Sequence, residues 1–297
     1  MSETPVPAAD PAAPAPAPKK GLGDTAMRFA SAGPLVPLII AMLYVAPKWV
    51  FATFIATTVA IIANELFVMT IPESRGLRVW GTVATVGLTG VFAFGDQTEL
   101  GLGPLLVAAL ATIAIGTLVC GLAVPDPVDR AAMRSGWLFG GPIYLAATLS
   151  HLERLHLLED GGGWVVMAMM LAWFSDTAAY FAGRWFGKHK LYEKLSPKKT
   201  IEGSFGGLFG SVIGALCGHF FLIRGLPLVD AILLGLVAGA CGQAGDLFES
   251  LLKRSVGVKD SGSILPGHGG LLDRADALMF TALLTSLYAT YVLPHRG

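Results

Sequence analysis

Nine predominantly apolar stretches, most of them close to twenty residues long, occupy most of the chain after residue 28. They lie at 29–47, 49–71, 79–95, 102–124, 132–150, 164–183, 204–223, 228–248 and 276–293. An α-helix of about 20 apolar residues crosses the ~30 Å hydrocarbon core of a bilayer. Hydrophobic residues make up 54% of the chain and charged residues only 14%, whereas soluble domains carry about 25% charged residues. The sequence therefore predicts an all-α polytopic membrane protein with about nine transmembrane helices.

The segment before these stretches, residues 1–27, has a different composition. It is dominated by Ala and Pro and contains no aromatic side chain, so it buries too little apolar surface to offset the entropy of ordering the chain. No apolar core follows a basic start within the usual length, which argues against a cleaved signal peptide. We expect residues 1–27 to be a disordered tail and residues 28–297 to form a single transmembrane domain.

Lysine and arginine are distributed unevenly between the connections. With the N-terminus inside, 17 of the 21 basic residues fall in cytoplasmic segments, and the other four are Lys48, Arg154, Arg224 and Arg296. Cytoplasmic loops of membrane proteins are enriched in these residues. The distribution predicts a multi-pass protein of the cell's inner membrane with a cytoplasmic N-terminus. It puts both long polar connections, 184–203 and 249–275, on the cytoplasmic side.

Net charge and cysteine spacing exclude several classes of protein. The formal net charge is zero, whereas a protein that binds nucleic acid needs a basic surface to neutralise phosphates. The cysteines, Cys120, Cys217 and Cys241, lie inside apolar stretches without CxxC spacing. They therefore indicate neither a disulfide framework nor a thiolate metal site.

Charge and glycine are concentrated between the last two apolar stretches, in residues 250–276. This segment contains Lys253, Arg254, Lys259, Asp260, His268, Asp273, Arg274 and Asp276, interrupted by Gly257, Gly262, Gly267, Gly269 and Gly270. A solvated loop between membrane helices is the default interpretation of such a segment. Its order of residues, S-x-L-K-R-x4-K-D-x-G-x2-L-P-x-H-G-G-L-x-D-R-x-D, resembles instead the signature of the phosphatidate cytidylyltransferase (CDP-diacylglycerol synthase) family. Ala275 departs from it, because a larger apolar residue is usual there.

A second polar motif precedes the seventh apolar stretch. Residues 196–203 read SPKKTIEG and include Ser196, Lys198, Lys199, Thr200 and Glu202. A lysine pair beside a membrane span is often only an anchor at lipid headgroups, but a similar S-P-K-K-T-x-E-G run occurs in the same family. Asp176 in the preceding SDTAAYFAGRWFGK also resembles the family pattern. A carboxylate in mid-span is a functional candidate because intramembrane charge is costly.

Carboxylates near the last two spans are candidates for metal binding. Asp246, Glu249 and Lys253 share a helical face, since their spacings are three and four residues; an ordinary Glu249–Lys253 pair at a helix end is the simpler alternative. Asp273 and Asp276 begin the final span one turn apart, where they could also merely complement the helix dipole. The adjacent glycines offer N–H groups to phosphate beside a helix N-terminus. Carboxylates together with phosphate oxygens suit Mg²⁺.

The resemblance implies a reaction and a set of roles. Enzymes of this family join the CMP unit of CTP to phosphatidic acid, with Asp246 and Asp273 expected to bind Mg²⁺, Asp276 beside them, and a second cation offsetting the crowded negative charge. Neutralisation of phosphate charge would fall to Lys253, Arg254, Lys259 and Arg274. Substrate contacts would come from Asp176, Ser196, Lys198, Lys199, Thr200, Glu202, Gly269 and Gly270, with Glu202 orienting a lysine or a metal-bound water. The resemblance also implies a homodimer, which no feature of the sequence itself establishes.

Some assignments stay open at the level of sequence. His268 could be a general base, a phosphate donor or a helix cap, and we favour hydrogen bonding because an ionised phosphate oxygen needs no strong base. A CTP-dependent lipid kinase would use similar parts to transfer the γ-phosphate. An ion-coupled transporter would also explain Asp176 and Asp246, but the two halves of the chain show no internal repeat. Asn64 and Glu65 interrupt the second apolar stretch without an assigned role.

Overall fold

The computed structural model describes residues 35–264 and 269–295. Within these ranges the chain forms nine α-helices: α1 (Leu35–Tyr44), α2 (Lys48–Thr70), α3 (Arg75–Phe94), α4 (Leu102–Ala123), α5 (Ala131–Leu157), α6 (Gly161–Phe186), α7 (Ile201–Cys217), α8 (Leu228–Ser255) and α9 (Leu272–Leu287). Two antiparallel strands, β1 (Lys190–Tyr192) and β2 (Ser196–Thr200), lie between α6 and α7. The predicted disordered tail, residues 1–27, lies outside the described residues.

Seven of the described helices are long and apolar enough to cross a membrane, some with a short 3₁₀ or π extension. They are α2, α3, α4, α6, α7, α8 and α9. Helix α5 has 27 residues but carries Arg134, Glu153 and Arg154 among other polar side chains. The described part of the first apolar stretch is the ten-residue α1. The all-α membrane fold is confirmed, whereas the predicted count of nine spans is not.

Glycines allow α6 and α7 to pack closely. A Cβ atom on Gly206 would lie 2.3 Å from the Cβ of Ala182, and one on Gly210 would lie 2.3 Å from the carbonyl oxygen of Phe174. Small residues at such positions let the backbones of membrane helices approach each other. Because Asp176 lies between these contacts along α6, the packing fixes its place beside α7.

Helices α8 and α9 pack in the same way. A Cβ atom on Gly245 would lie 2.2 Å from the ring of Phe280 and 2.9 Å from the carbonyl oxygen of Asp276. The backbones of the two helices are therefore in close contact at Gly245. Asp246, a predicted metal ligand, directly follows this contact. A side chain larger than glycine at position 245 would move these carboxylates apart.

The largest hydrophobic cluster joins α2, α5, α6 and α9. Its fully buried side chains include Phe51, Ile62, Leu66, Phe67, Leu145, Leu149, Met167, Leu171 and Met279. Helix α4 has only two buried residues, Ile113 and Thr117. Its remaining apolar surface fits a helix at the periphery of the bundle that faces lipid.

Candidate active site

The connection between α6 and α7 is a short β-hairpin. Thr200 pairs with Lys190, and Ser196 pairs with Tyr192. Thr200 also caps α7, because its Oγ1 accepts a hydrogen bond from the N–H of Gly203 at 3.1 Å. The hairpin therefore leads directly into a capped helix, and this fixes the two lysines of β2 relative to the bundle.

Glu202 braces this hairpin. Its carboxylate accepts hydrogen bonds from the backbone N–H groups of Lys188 at 3.1 Å and His189 at 3.2 Å, and it lies 2.7 Å from Nδ1 of His189. The predicted role was to orient a lysine or a metal-bound water. Among the described residues, these contacts hold Glu202 against the turn that leads into β1, and its role toward a lysine or a metal-bound water stays a prediction.

A cavity of about 390 Å³, here called the basic cavity, lies between the hairpin, α6, α7 and α8. Its cationic lining consists of Arg184, Lys198 and Lys199. Nη1 of Arg184 donates a hydrogen bond to the hydroxyl of Tyr180 at 3.0 Å. Three cations around one cavity suit a ligand that carries phosphate.

A second cavity of about 590 Å³, here called the acidic cavity, lies beside the first. It is lined by Asp176, Asp246, Asp260, Asp273 and Asp276 together with Lys253, Arg274 and Gly269. Asp176 and Asp246 line both cavities, so the two spaces share a wall. Gly269 has a φ angle of 83°, in the left-handed region that favours glycine.

Asp273 is held from three directions within the acidic cavity. Its Oδ1 lies 2.6 Å from Nζ of Lys253, and its Oδ2 accepts hydrogen bonds from the backbone N–H groups of Ser261 and Gly270, both at 3.0 Å. The N–H of Gly270 was predicted to face phosphate, but here it is committed to Asp273. Nζ of Lys253 also lies 3.2 Å from Oε1 of Glu249. One largely buried cation, Lys253, therefore contacts two carboxylates.

An ion pair links the two motifs that the sequence showed separately. Nζ of Lys199 on β2 contacts the carboxylate of Asp246 on α8. Both side chains are 29% exposed, so the pair borders open space rather than the protein core. A phosphate that enters the basic cavity would therefore meet Lys199 beside the shared wall.

Comparison with known proteins assigns the chain to a family. The profile of the cytidylyltransferase family matches residues 26–292. The chain belongs to this family. Similar relatives include the phosphatidate cytidylyltransferases of Staphylococcus haemolyticus, 47% identical over 129 residues, and of Staphylococcus epidermidis and Staphylococcus aureus, each 45% identical over 129 residues. Each alignment covers 43% of this chain and 50% of the relative, so the chain spans about half the length of the curated relatives it matches.

Most of the predicted site residues line the two cavities. Those that line the cavities are Asp176, Lys198, Lys199, Thr200, Asp246, Lys253, Gly269, Asp273, Arg274 and Asp276. Arg254 and Lys259 are exposed and line neither cavity, and Nη1 of Arg254 donates to the carbonyl of Val258 at 3.2 Å. Ser196 pairs within the hairpin. His268 lies outside the described residues.

Several polar residues that line the cavities were not predicted as site residues, among them Gln243, Ser204 and Arg184 at the basic cavity and Asp260 at the acidic cavity. Gln243 and Ser204 line the basic cavity, and Nε2 of Gln243 donates to the carbonyl of Ser204 at 3.1 Å. Gln243 lies one helical turn before Asp246, a spacing that could have indicated it. Glu249 is fully buried and contacts Lys253. The four-residue spacing between Glu249 and Lys253 was visible in the sequence, but the burial of Glu249 was not.

The acidic cavity suits a hard cation whose ligands include both protein carboxylates and phosphate oxygens. Among the described residues, no three His, Cys, Asp or Glu side chains are arranged to hold a metal by themselves. Mg²⁺ usually takes one or two carboxylates and completes its shell with phosphate oxygens and water. Five aspartates against two cationic side chains line the cavity, so a triphosphate would need added positive charge to enter. Because the metal ligands on offer in this cavity are carboxylate oxygens, it fits Mg²⁺ bound together with a nucleotide.

Proposed function

We propose that this chain transfers the CMP unit of CTP to phosphatidic acid, giving CDP-diacylglycerol and pyrophosphate. The observation that carries the proposal is the wall shared by the basic and acidic cavities at Asp176 and Asp246. A transfer between two phosphate-bearing substrates requires both phosphates to meet at one place. The relatives named phosphatidate cytidylyltransferase support the same pair of substrates.

In the proposed reaction, an ionised phosphate oxygen of phosphatidic acid attacks the α-phosphorus of CTP. The bond between the α-phosphorus and the bridging oxygen breaks, and pyrophosphate leaves with that oxygen. Because the attacking oxygen is already ionised, no general base is required. Catalysis then depends on alignment and on neutralisation of charge. Lys253 and Arg274 neutralise the leaving pyrophosphate, while Lys198 and Lys199 hold a substrate phosphate in the basic cavity.

Mg²⁺ belongs to this proposal. When bound, it supplies the positive charge that lets phosphate oxygens lie among carboxylates and that polarises the reacting phosphate. Asp246 and Asp273 would hold it, with Asp276 beside them, and a second cation would offset the remaining negative charge. In the structure Asp246 pairs with Lys199 and Asp273 pairs with Lys253. If Asp246 and Asp273 held the metal, Lys199 and Lys253 would be released from these pairs and could contact phosphate oxygens instead.

The direct test is a product analysis with purified protein in phosphatidate-containing vesicles. CTP labelled at the α-phosphate should transfer its label to the lipid phase in the presence of Mg²⁺, and CTP labelled at the γ-phosphate should not. Labelling of lipid by the γ-phosphate alone would identify a lipid kinase instead. No transfer from either nucleotide, in protein that is folded and inserted, would contradict the proposal.

We further propose that the site faces the cytoplasm of the inner membrane, where CTP is available, and that the chain forms a homodimer as the family resemblance implies. Three candidate spans, Ile201–Leu222, Leu228–Ser255 and Leu272–His295, separate the hairpin from the C-terminus. A reporter inserted near Lys190 should therefore be cytoplasmic, and one fused after Gly297 should lie on the opposite side. This expectation does not depend on the number of spans in the N-terminal half. Signals from the same side would contradict it.

The two lysines of β2 should differ in their effects. Lys198→Ala removes a cation that lines the basic cavity, so the CTP or phosphatidate concentration needed for half-maximal rate should rise about tenfold, as loss of a charge-assisted contact worth ~1.5–3 kcal/mol predicts. Lys199→Ala should raise this half-maximal concentration at least as much. It should also lower turnover, because Asp246 loses its partner. Lys194→Ala, an exposed lysine of the hairpin turn, is the control. If both lysines are only membrane anchors, rates per inserted molecule will match this control.

A further inference from the structure

Glu65 lies on α2, about two hundred residues before the last helix in sequence. The residue is 4% exposed, and an intramembrane carboxylate is costly unless it is compensated. The compensation comes from the other end of the chain. Oε1 accepts a hydrogen bond from the N–H of Leu271 at 3.0 Å, and Oε2 accepts one from the N–H of Leu272 at 2.8 Å and one from the hydroxyl of Ser261 at 3.3 Å.

This carboxylate occupies the capping position of α9. The helix begins at Leu272, and the residue before it, Leu271, provides no side-chain cap. The first N–H groups of a helix lack intrahelical partners, and negative charge is favoured at this end. A cap is usually supplied by a neighbouring Ser, Thr, Asp or Asn. Here it comes from another membrane helix.

Two glycines of the 250–276 segment leave room for Glu65. A Cβ atom on Gly262 would lie 2.5 Å from Oε1 of Glu65. One on Gly270 would lie 2.0 Å from the hydroxyl oxygen of Ser261 and 2.8 Å from Oε2 of Glu65. Larger residues would displace the carboxylate, so these glycines are explained by a contact with α2.

Glu65 and Asp273 hold the same backbone segments together. Ser261 donates its N–H to Asp273 and its hydroxyl to Glu65. Gly270 donates to Asp273, and the next residue, Leu271, donates to Glu65. Because Glu65 satisfies the N–H groups of Leu271 and Leu272, Asp273 is not required as the cap of its own helix. Its Oδ1 is thereby left to face Lys253 in the acidic cavity.

We propose that Glu65 is a positioning residue whose carboxylate fixes the start of α9, so that Asp273 presents Oδ1 to the acidic cavity. This inference rests on the proposed function, in which the acidic cavity receives CTP together with a divalent cation. Glu65 acts through the backbone at 271–272 and through Ser261, and it is not assigned any contact with substrate. Its loss should therefore alter metal-dependent nucleotide binding as well as the amount of folded protein.

The test compares Glu65→Gln with Asn64→Ala, an exposed neighbour on the same helix. Glu65→Gln removes the charge and places an amide N–H against backbone N–H donors. Hydrogen–deuterium exchange at the start of α9 should become faster. The Mg²⁺ concentration needed for half-maximal CTP binding should rise by about 10–100-fold, the usual cost of losing a residue that orients a metal ligand without touching the metal. Ser261→Ala, which keeps both backbone contacts of Glu65, should show the same changes to a smaller degree, and Asn64→Ala should match the wild type.

Each result of this comparison either supports or contradicts the proposed role of Glu65. Faster exchange at α9 together with a raised Mg²⁺ requirement, graded from Ser261→Ala to Glu65→Gln, supports it. Unchanged exchange would show that Glu65 does not fix the start of α9, and faster exchange with an unchanged Mg²⁺ requirement would show that it only stabilises the fold; either result overturns the inference. If Glu65→Gln fails to fold, Ser261→Ala decides by the same two measurements. Wild-type protein that binds CTP but makes no CDP-diacylglycerol would refute the proposed function and leave the Glu65 comparison intact.

Discussion

Replacing Asp246 or Asp273 by Asn is expected to reduce CMP transfer to near background in a folded, inserted protein. Each substitution keeps the size of the side chain but removes the charge that a hard cation requires of an oxygen ligand. The loss should exceed the about 100-fold that removal of an outer contact commonly costs. Asp276→Asn should be milder, within about 10–100-fold, and should recover partly at higher Mg²⁺. Initial rates measured over a range of Mg²⁺ concentrations separate these outcomes.

A matched control comes from the other end of α8. Asp230 is buried in the first turn of that helix, and its Oδ2 accepts a hydrogen bond from the hydroxyl of Tyr288 at 2.8 Å. Asp230→Asn makes the same chemical change far from the cavities and should leave the rate per folded molecule unchanged. If Asp246→Asn and Asp273→Asn both keep near-normal turnover at limiting Mg²⁺, the metal site is misplaced. Asp273 would then serve only to anchor the backbone at Ser261 and Gly270.

Local periodicity was enough to predict one side of the site. Asp246 and Lys253 lie two turns apart on one helix, and Asp273 and Asp276 lie one turn apart on the next, so helical geometry alone puts each pair on one face of its own helix. The structure brings these four residues to one cavity. The prediction of an all-α membrane fold was likewise secure, because hydrophobic length is a property of each segment by itself.

Contacts between distant segments were not predictable in this way. The ion pair of Lys199 with Asp246 depends on how the hairpin lies against α8, and the hairpin itself was missed because its strands have only three and five residues. Glu65 appeared only as an interruption of an apolar stretch. Its partners are about two hundred residues away, so they emerge from helix packing and not from any local pattern. Arg254, adjacent to Lys253 in sequence, points elsewhere because successive residues on a helix face different directions.

Lys253→Met is expected to destabilise the protein by about 3–5 kcal/mol, the usual cost of removing one partner from a buried ion pair. The lysine side chain is 13% exposed, and the carboxylates it contacts are 1% exposed at Glu249 and 10% at Asp273. Its removal leaves two poorly solvated negative charges close together. Unfolding in mixed detergent, followed by helical content, measures the loss. Arg254→Met, an exposed neighbour that lines neither cavity, should change stability little.

The double variant Lys253→Met/Glu249→Gln separates stability from transfer. Neutralising Glu249 removes one of the charges that Lys253→Met leaves unpaired, so the double variant should be more stable than Lys253→Met alone. Its rate of transfer should nevertheless stay low, because Asp273 still lacks its cation and the leaving pyrophosphate still lacks a positive charge in the acidic cavity. Recovery of both stability and turnover would mean that Lys253 acts only as a counter-ion to Glu249. Strictly additive losses would mean that Lys253 and Glu249 do not interact, in conflict with their 3.2 Å contact.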